Sequence, residues 1–273
     1  MTGTGPRIGL GVWQIEGDRA VGVIRDGLDL GYRVIDTASA YGNETAVGAA
    51  IAASPVDREE VRVITKIWLT DFGRVDGALD ESRRRLGLDT IDLVLLHWPV
   101  PSDFDRTIRA FDALLTATAD GRVRQAGVSN FLPEHLVRLR TAAGVVPAVN
   151  QVEAHPYYSR EELRRLHADA GVETQAHSPF GGQRARAARP IDDPLVAAVA
   201  AEVGATPGQT VLAWHRQHGV MPLPRASSAG RLAENLRSAE VTLSAAQMAR
   251  IDRLDRGLRL GPDPREVHDL SFA

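Results

Sequence analysis

The stretch Val61-Arg62-Val63-Ile64-Thr65-Lys66-Ile67-Trp68 decides how the 273-residue chain is read. It is a run of β-branched and apolar residues opened by the charged turn Asp57-Arg58-Glu59-Glu60, which predicts a strand over 61–67. Near its end stands Lys66, the one lysine among the chain's 32 Lys and Arg residues. Arginine keeps its charge at any ordinary pH, whereas a lysine ammonium is compact and shifts its pKa readily when buried. A chain that writes arginine everywhere else, yet keeps lysine inside an apolar strand, predicts a task that arginine cannot perform. A buried unpaired charge is costly, so a carboxylate partner is predicted with it.

Outward from this strand, short apolar runs alternate with amphipathic stretches from end to end. Strands are predicted over 7–13, 33–37, 61–67, 91–97, 124–129, 148–153, 173–178 and 220–224. Helices follow them over 18–30, 44–53, 75–86, 107–119, 133–143, 160–170, 194–203 and 230–238, with two further helices over 207–218 and 245–254. Alternation of this kind means a parallel sheet. Eight units at this length predict a (β/α)8 TIM barrel of the α/β class, with two extra helices. An open doubly wound sheet is the competitor, but the first strand ends Gly9-Leu10-Gly11-Val12-Trp13, which is not the Gly-rich phosphate turn of that architecture. No Pro/Gly/Ser linker divides the chain, so 1–273 is expected to be a single domain. Residues 181–190, rich in Gly, Pro and Arg, are expected to form a mobile loop over the site.

Bulk properties narrow the function. Hydrophobic content of 44% and charged content of 25% are ordinary for a globular protein. A net charge of −3 gives no reason to expect nucleic acid or an anionic membrane as partner. The absence of cysteine excludes thiolate catalysis, Cys-zinc sites and disulfides, and fits a cytoplasmic enzyme. The first residues lack the features of a signal peptide. A monomer is expected. The histidines at 135, 167, 215, 218 and 268 are scattered without metal-ligand spacing, and His155 precedes Pro156 in a loop, so no metal is expected.

In a barrel of this kind chemistry collects at the C-terminal ends of strands. Asp36 ends the second predicted strand, Tyr41 follows in the next loop, Lys66 ends the third strand and His97 the fourth. Each has a bland reading alone: a loop cap, a loop anchor, a satisfied core histidine. Together on one rim they predict a site. Asp36 keeps Lys66 charged, and a nearby ammonium stabilises phenolate, so the pKa of Tyr41 is expected to fall. The tyrosine then donates a proton to a carbonyl oxygen near neutral pH, while His97 bonds the substrate oxygen or the tyrosine. The hydride must come from a cofactor. Two rivals stay open on the residues alone: a Schiff-base aldolase using Lys66, and a nucleotide-binding regulatory subunit without turnover.

The segment from Gly31 through Tyr32-Arg33-Val34-Ile35-Asp36-Thr37 to Tyr41, Asn43 and Glu44 resembles the first signature of the aldo-keto reductases. Gly127-Val128-Ser129-Asn130-Phe131, Asn150-Gln151-Val152-Glu153 and Ser178-Pro179-Phe180-Gly181 are similar to later ones, so the likeness covers essentially the whole chain. It implies that Asp36, Tyr41, Lys66 and His97 are the catalytic tetrad, with Tyr41 as acid. It also implies a small-molecule carbonyl substrate and an extended NADPH across the rim. Ser129, Asn130 and Gln151 would hold the carboxamide, with Gly11, Val12, Trp13 and Asp36 nearby. Ser178, Phe180 and Gly182 would meet the pyrophosphate, Ser228 and Arg231 the 2′-phosphate end, and Glu234 and Asn235 the adenine.

This chain departs from the family pattern in three places. Leu223-Pro224 stands where many members have Lys-Ser, which leaves NADH open and casts Arg225, Ser227 and Ser228 as substitutes. His177 replaces the aromatic residue that stacks on nicotinamide, so pH-sensitive cofactor affinity is expected. Few residues precede the first strand, where most members carry a hairpin closing the barrel bottom. On the substrate side, Trp13, Trp68 and Trp98 are expected to wall a slot beside Tyr41 and His97. The likeness is nearest to bacterial 2,5-diketo-gluconate reductase-like members, which implies small α-dicarbonyls or keto-sugars.

Overall fold

The computed structural model describes residues 8–182 and 189–267. Eight strands form one sheet in sequential order: β1 (Leu10–Gly11), β2 (Val34–Asp36), β3 (Arg62–Ile67), β4 (Ile91–Leu96), β5 (Val123–Ser129), β6 (Val149–Glu153), β7 (Glu173–His177) and β8 (Met221–Pro222). Every neighbouring pair is parallel. The ring closes where the Gly9 N–H donates to Pro222 O at 3.0 Å and the Gly11 N–H to Pro224 O at 3.2 Å. β1 and β8 are much shorter than predicted. Proline has no N–H, so Pro222 and Pro224 accept across the seam but cannot donate to it.

Ten α-helices surround the ring among the described residues: α1 (Gly17–Leu30), α2 (Glu44–Ala52), α3 (Val75–Leu86), α4 (Phe104–Ala119), α5 (Pro133–Ala143), α6 (Glu161–Ala170), α7 (Pro194–Glu202), α8 (Pro207–Gln217), α9 (Ala229–Arg237) and α10 (Ala245–Asp252). Their limits follow local chemistry. α1, α3, α5 and α6 stop at Gly31, Gly87, Gly144 and Gly171, each left-handed. Thr206 and Gln209 cap each other's backbone at the start of α8, as Ser244 and Gln247 do for α10. α4 begins three residues earlier than predicted because the Asp103 carboxylate accepts from the Arg106 N–H. Among the described residues no single helix is long and apolar enough to cross a membrane. The loop expected over 181–190 falls mainly on 183–188, outside the described residues.

Alternation along the strands stacks the barrel interior in layers. The middle is apolar, with Ile64, Leu93, Leu95 and Val149 buried together. At the lower end Arg62 of β3 reaches across to Glu173 of β7, at 3.0 and 3.2 Å, and donates to Gln125 of β5 at 3.0 Å. β3 and β7 are four strands apart in a ring of eight, so this cluster spans the bottom of the barrel. Polar side chains from three strands thus meet where a hairpin is expected in the family. The upper layer holds Asp36, Lys66, His97, Ser129, Gln151 and His177: Asp36, Ser129 and His177 end their strands, His97 follows β4, Lys66 is next to last in β3 and Gln151 lies midway along β6.

Helix packing on the outside is close. A Cβ added to Gly48 in α2 would stand 2.2 Å from the backbone oxygen of Leu86, the last residue of α3. Gly48→Ala is expected to cost about 1–3 kcal/mol. It should lower the melting temperature by several degrees in a thermal unfolding scan.

Candidate active site

Lys66 is wholly buried, and its Nζ donates to Asp36 Oδ1 at 2.8 Å and to Thr37 O at 2.8 Å. The register of β2 against β3 offsets the two residues, so Lys66 reaches back toward the end of β2. Tyr41 sits on a short 3-10 turn, Ser39–Tyr41. That turn is tied to β3 by the Ser39 hydroxyl, which donates to the backbone oxygen of Lys66 at 2.9 Å. Asn43 secures the next segment, donating to Val12 O and Ile15 O at 2.8 and 2.9 Å while accepting from Thr37 Oγ1. Tyr41 therefore lies against the ammonium, with Nζ 5.1 Å from the ring centroid.

The electrostatics correct one expectation. Burial pushes the Tyr41 phenol above its ordinary value; Lys66 draws it down by charge and hydrogen bonding, Asp36 pushes it up, and the net shift is upward. Burial works against the Lys66 ammonium, but Asp36 and Tyr41 outweigh it, and its pKa is raised. Tyr41 is thus a neutral phenol beside a charged lysine. A lysine held protonated does not attack a carbonyl, which removes the basis for the Schiff-base reading.

His97 follows β4, buried, with its ring edge-on to Trp68 at 4.9 Å and to Tyr41 at 5.7 Å between centroids. Burial, with help from Lys66 and His177, holds its pKa well below the usual histidine value, so the ring is neutral. Its Nδ1 is buried without a partner among the described residues. Of the three rim tryptophans, Trp13 is 45% exposed and Trp68 half-buried, whereas Trp98 is only 9% exposed and belongs to the apolar core.

Ser129, Asn130, Gln151 and His177 come together at the tops of β5, β6 and β7. The Ser129 hydroxyl donates to Gln151 O at 2.8 Å. Asn130, held at φ 63, donates to His97 O at 3.1 Å and to Ser129 Oγ at 3.2 Å. Its Oδ1 can only accept, so the 2.9 Å contact with His177 Nε2 makes that nitrogen the donor. Burial pushes His177 down to about 4, against the upward pull of Glu153. The ring is neutral through the physiological range. Gln151 Nε2 donates to Asp36 Oδ1 at 2.8 Å, so Asp36 serves both the lysine and the amide.

Farther out, Phe180 and Glu234 both approach Gly208, and the Glu234 carboxylate accepts from Thr206 Oγ1 at 2.8 Å. Asn235 is buried against Tyr32. Arg231 is exposed in the first turn of α9 without an ion pair among the described residues, and Ser228 precedes that helix. Arg225, cast as a phosphate-binding substitute, instead donates to Trp13 O at 2.8 Å and Gln14 O at 3.1 Å, tethering the loop after β1. Sequence reasoning missed the segment that covers β6: Glu153 accepts from the Leu260 and Gly261 N–H groups at 2.6 and 2.8 Å. It also missed Gln175, which lies two residues before His177 and so on the same inward face; period-two alternation along β7 carried that signal.

A barrel with this set at its mouth defines a reductase, and the chain belongs to the aldo/keto reductase family, whose profile matches residues 7–256. It is an oxidoreductase of that family. Among curated proteins it is 41% identical to morphine 6-dehydrogenase of Pseudomonas putida, over 98% of this chain and 94% of that protein. It is 38% identical to methylglyoxal reductase DkgA of Escherichia coli K12, over 95% of this chain and 93% of that protein. The crystal structure of a Gox0644 mutant in complex with NADPH superposes with a TM-score of 0.88 at 36% identity, covering 96% of this chain and 94% of that one.

Asp36→Asn would leave the Lys66 charge buried without its counter-ion. The expected loss is about 3–5 kcal/mol near neutral pH. With the folded-state amine pKa now depressed below its unfolded value, the folded form binds fewer protons, and the deficit should shrink as pH rises. Denaturant unfolding at neutral and alkaline pH checks both the size and the sign.

Proposed function

We propose that this chain, acting as a single barrel domain, reduces small aldehydes and ketones to alcohols with NADPH. The observation that carries the reading is the buried Lys66–Asp36 pair bearing on a neutral Tyr41. In this reading NADPH supplies the hydride when bound. Tyr41 donates its proton to the substrate oxygen as negative charge develops there. Lys66, held cationic, stabilises the resulting phenolate, and Asp36 keeps Lys66 in register. Neutral His97 is best protonated on Nε2, since a buried unpartnered Nδ1 is less costly as an acceptor than as a donor. That Nε2–H would steady the substrate oxygen.

The residues present fit the nucleotide. Gln151 keeps its Oε1 free of any described donor, which suits a carboxamide NH2. Arg231, without an ion pair among the described residues at the start of α9, suits a phosphate, and this favours NADPH over NADH. Gly11, Val12 and Trp13 border the same mouth, and Ser178, Phe180 and Gly182 lead away from His177 along the path for the pyrophosphate. Trp13 and Trp68 offer an aromatic wall to a small substrate. The similarity to methylglyoxal reductase supports α-dicarbonyls as first substrates to try, with keto-sugars beside them in the panel. The similarity to morphine 6-dehydrogenase adds bulky secondary alcohols in the oxidising direction.

Tyr41→Phe is expected to lower kcat about 10²–10⁴-fold, with NADPH affinity nearly unchanged by fluorescence titration; retained turnover refutes the acid assignment. Lys66→Arg should fail as well, because the guanidinium does not fit the buried contact to Asp36 and Thr37 O.

A pH profile separates the two directions. With the Tyr41 pKa raised, the phenol stays protonated below its ordinary value of about 10. Carbonyl reduction should hold through neutral pH and fall only in the alkaline range. Alcohol oxidation, which needs the phenolate as base, should climb toward alkaline pH. A reduction rate falling between pH 6 and 8 contradicts the upward shift.

A further inference from the structure

The barrel axis carries a line of side chains that the proposed chemistry does not by itself require. Gln175 is fully buried in β7, on the interior face between Glu173 below and His177 above. Its Nε2 donates to Glu173 Oε1 at 2.7 Å, and its Oε1 accepts from Gln151 Nε2 at 3.2 Å. β6 and β7 are paired with Gln151 directly opposite Gln175. The same Gln151 nitrogen donates to Asp36 Oδ1. A chain of hydrogen bonds thus runs from the Arg62–Glu173 plug at the bottom, through Gln175 and Gln151, to the Lys66–Asp36 pair at the top.

The polarity of this chain is forced. A carboxylate only accepts and a guanidinium only donates. Glu173, clamped by Arg62, must receive the NH2 of Gln175, which turns the Gln175 oxygen toward Gln151. Asp36 likewise must receive the NH2 of Gln151. Both Gln151 hydrogens are then committed, one to Asp36 and one to Gln175, and the remaining capacity of that amide is its oxygen. Without Gln175 one hydrogen of Gln151 would be released, leaving Asp36 as the single anchor about which the amide could swing.

We propose that Gln175 is a positioning residue that sets the Gln151 amide so that its oxygen faces the mouth as an acceptor for the NH2 of the nicotinamide carboxamide. This rests on the reading above in which Gln151 meets that group. The Glu173–Gln175 pair is the template, and cofactor discrimination is its readout.

The test measures dissociation constants by fluorescence titration for NADPH and for its reduced 3-acetylpyridine analogue, which keeps the ring carbonyl but lacks the NH2. The wild-type protein should prefer NADPH by up to about tenfold, the worth of one net hydrogen bond. In Gln175→Met that ratio should fall toward one, and Gln151→Met should behave alike. A residue that only stabilises the barrel would weaken both nucleotides equally and leave the ratio intact. An unchanged ratio in Gln175→Met with a collapsed ratio in Gln151→Met overturns the role of Gln175 alone. A ratio that survives both substitutions, or a wild-type ratio near one, overturns the carboxamide assignment with it. Should Gln175→Met fail to fold, Glu173→Gln is judged by the same criterion, since an amide at 173 no longer dictates which way Gln175 turns.

Discussion

The rest of the upper barrel depends on one buried ion pair, Lys66 with Asp36. Both charges are almost entirely removed from water, and such a pair is tolerated only when geometry and further hydrogen bonds satisfy both partners. The structure provides those bonds: Thr37 O for the ammonium and the Gln151 amide for the carboxylate. The consequences spread outward. Burial keeps the proton on Tyr41 against the downward pull of this cationic lysine, and burial and the lysine together disfavour protonation of His97. The mouth thus presents one fixed positive charge and two neutral groups that can share hydrogen bonds with an oxygen.

That arrangement changes how the tyrosine works. A phenol already lowered toward neutrality would be partly ionised before substrate arrives and would lose its proton to water. In the proposed reaction, with burial dominant, the proton would stay on Tyr41 until an oxygen nearby becomes basic enough to take it. Lys66 would then favour the product of that proposed transfer more than the starting state. Stabilisation that grows along the reaction is what lowers a barrel enzyme's barrier; stabilising the phenolate in the resting state would not.

The bottom of the barrel takes part in the same organisation. Arg62, Glu173 and Gln125 close the lower end, and Gln175 carries the hydrogen-bond polarity past the apolar layer of Ile64, Leu93, Leu95 and Val149. Most (β/α)8 barrels separate stability at the lower face from chemistry at the upper one. Here a single file of amides joins the two faces.

Composition and periodicity by themselves determined the eight βα units, the two extra helices and the position of most strand ends, because each local pattern agreed with the barrel. Lys66 was legible because one lysine among many arginines is chemically conspicuous, and Asp36, Tyr41 and His97 because they end or follow predicted strands. What only the tertiary structure decided are the quantities that depend on neighbours distant in sequence. The direction of the Tyr41 shift balances burial against two opposite charges. The neutrality of His177 follows from its enclosure, and the diversion of Arg225 to Trp13 O from the meeting of the first and last strands. The short β1 belongs to the same class, since a strand is bounded by its partner's donors, and the prolines across the seam have none to offer.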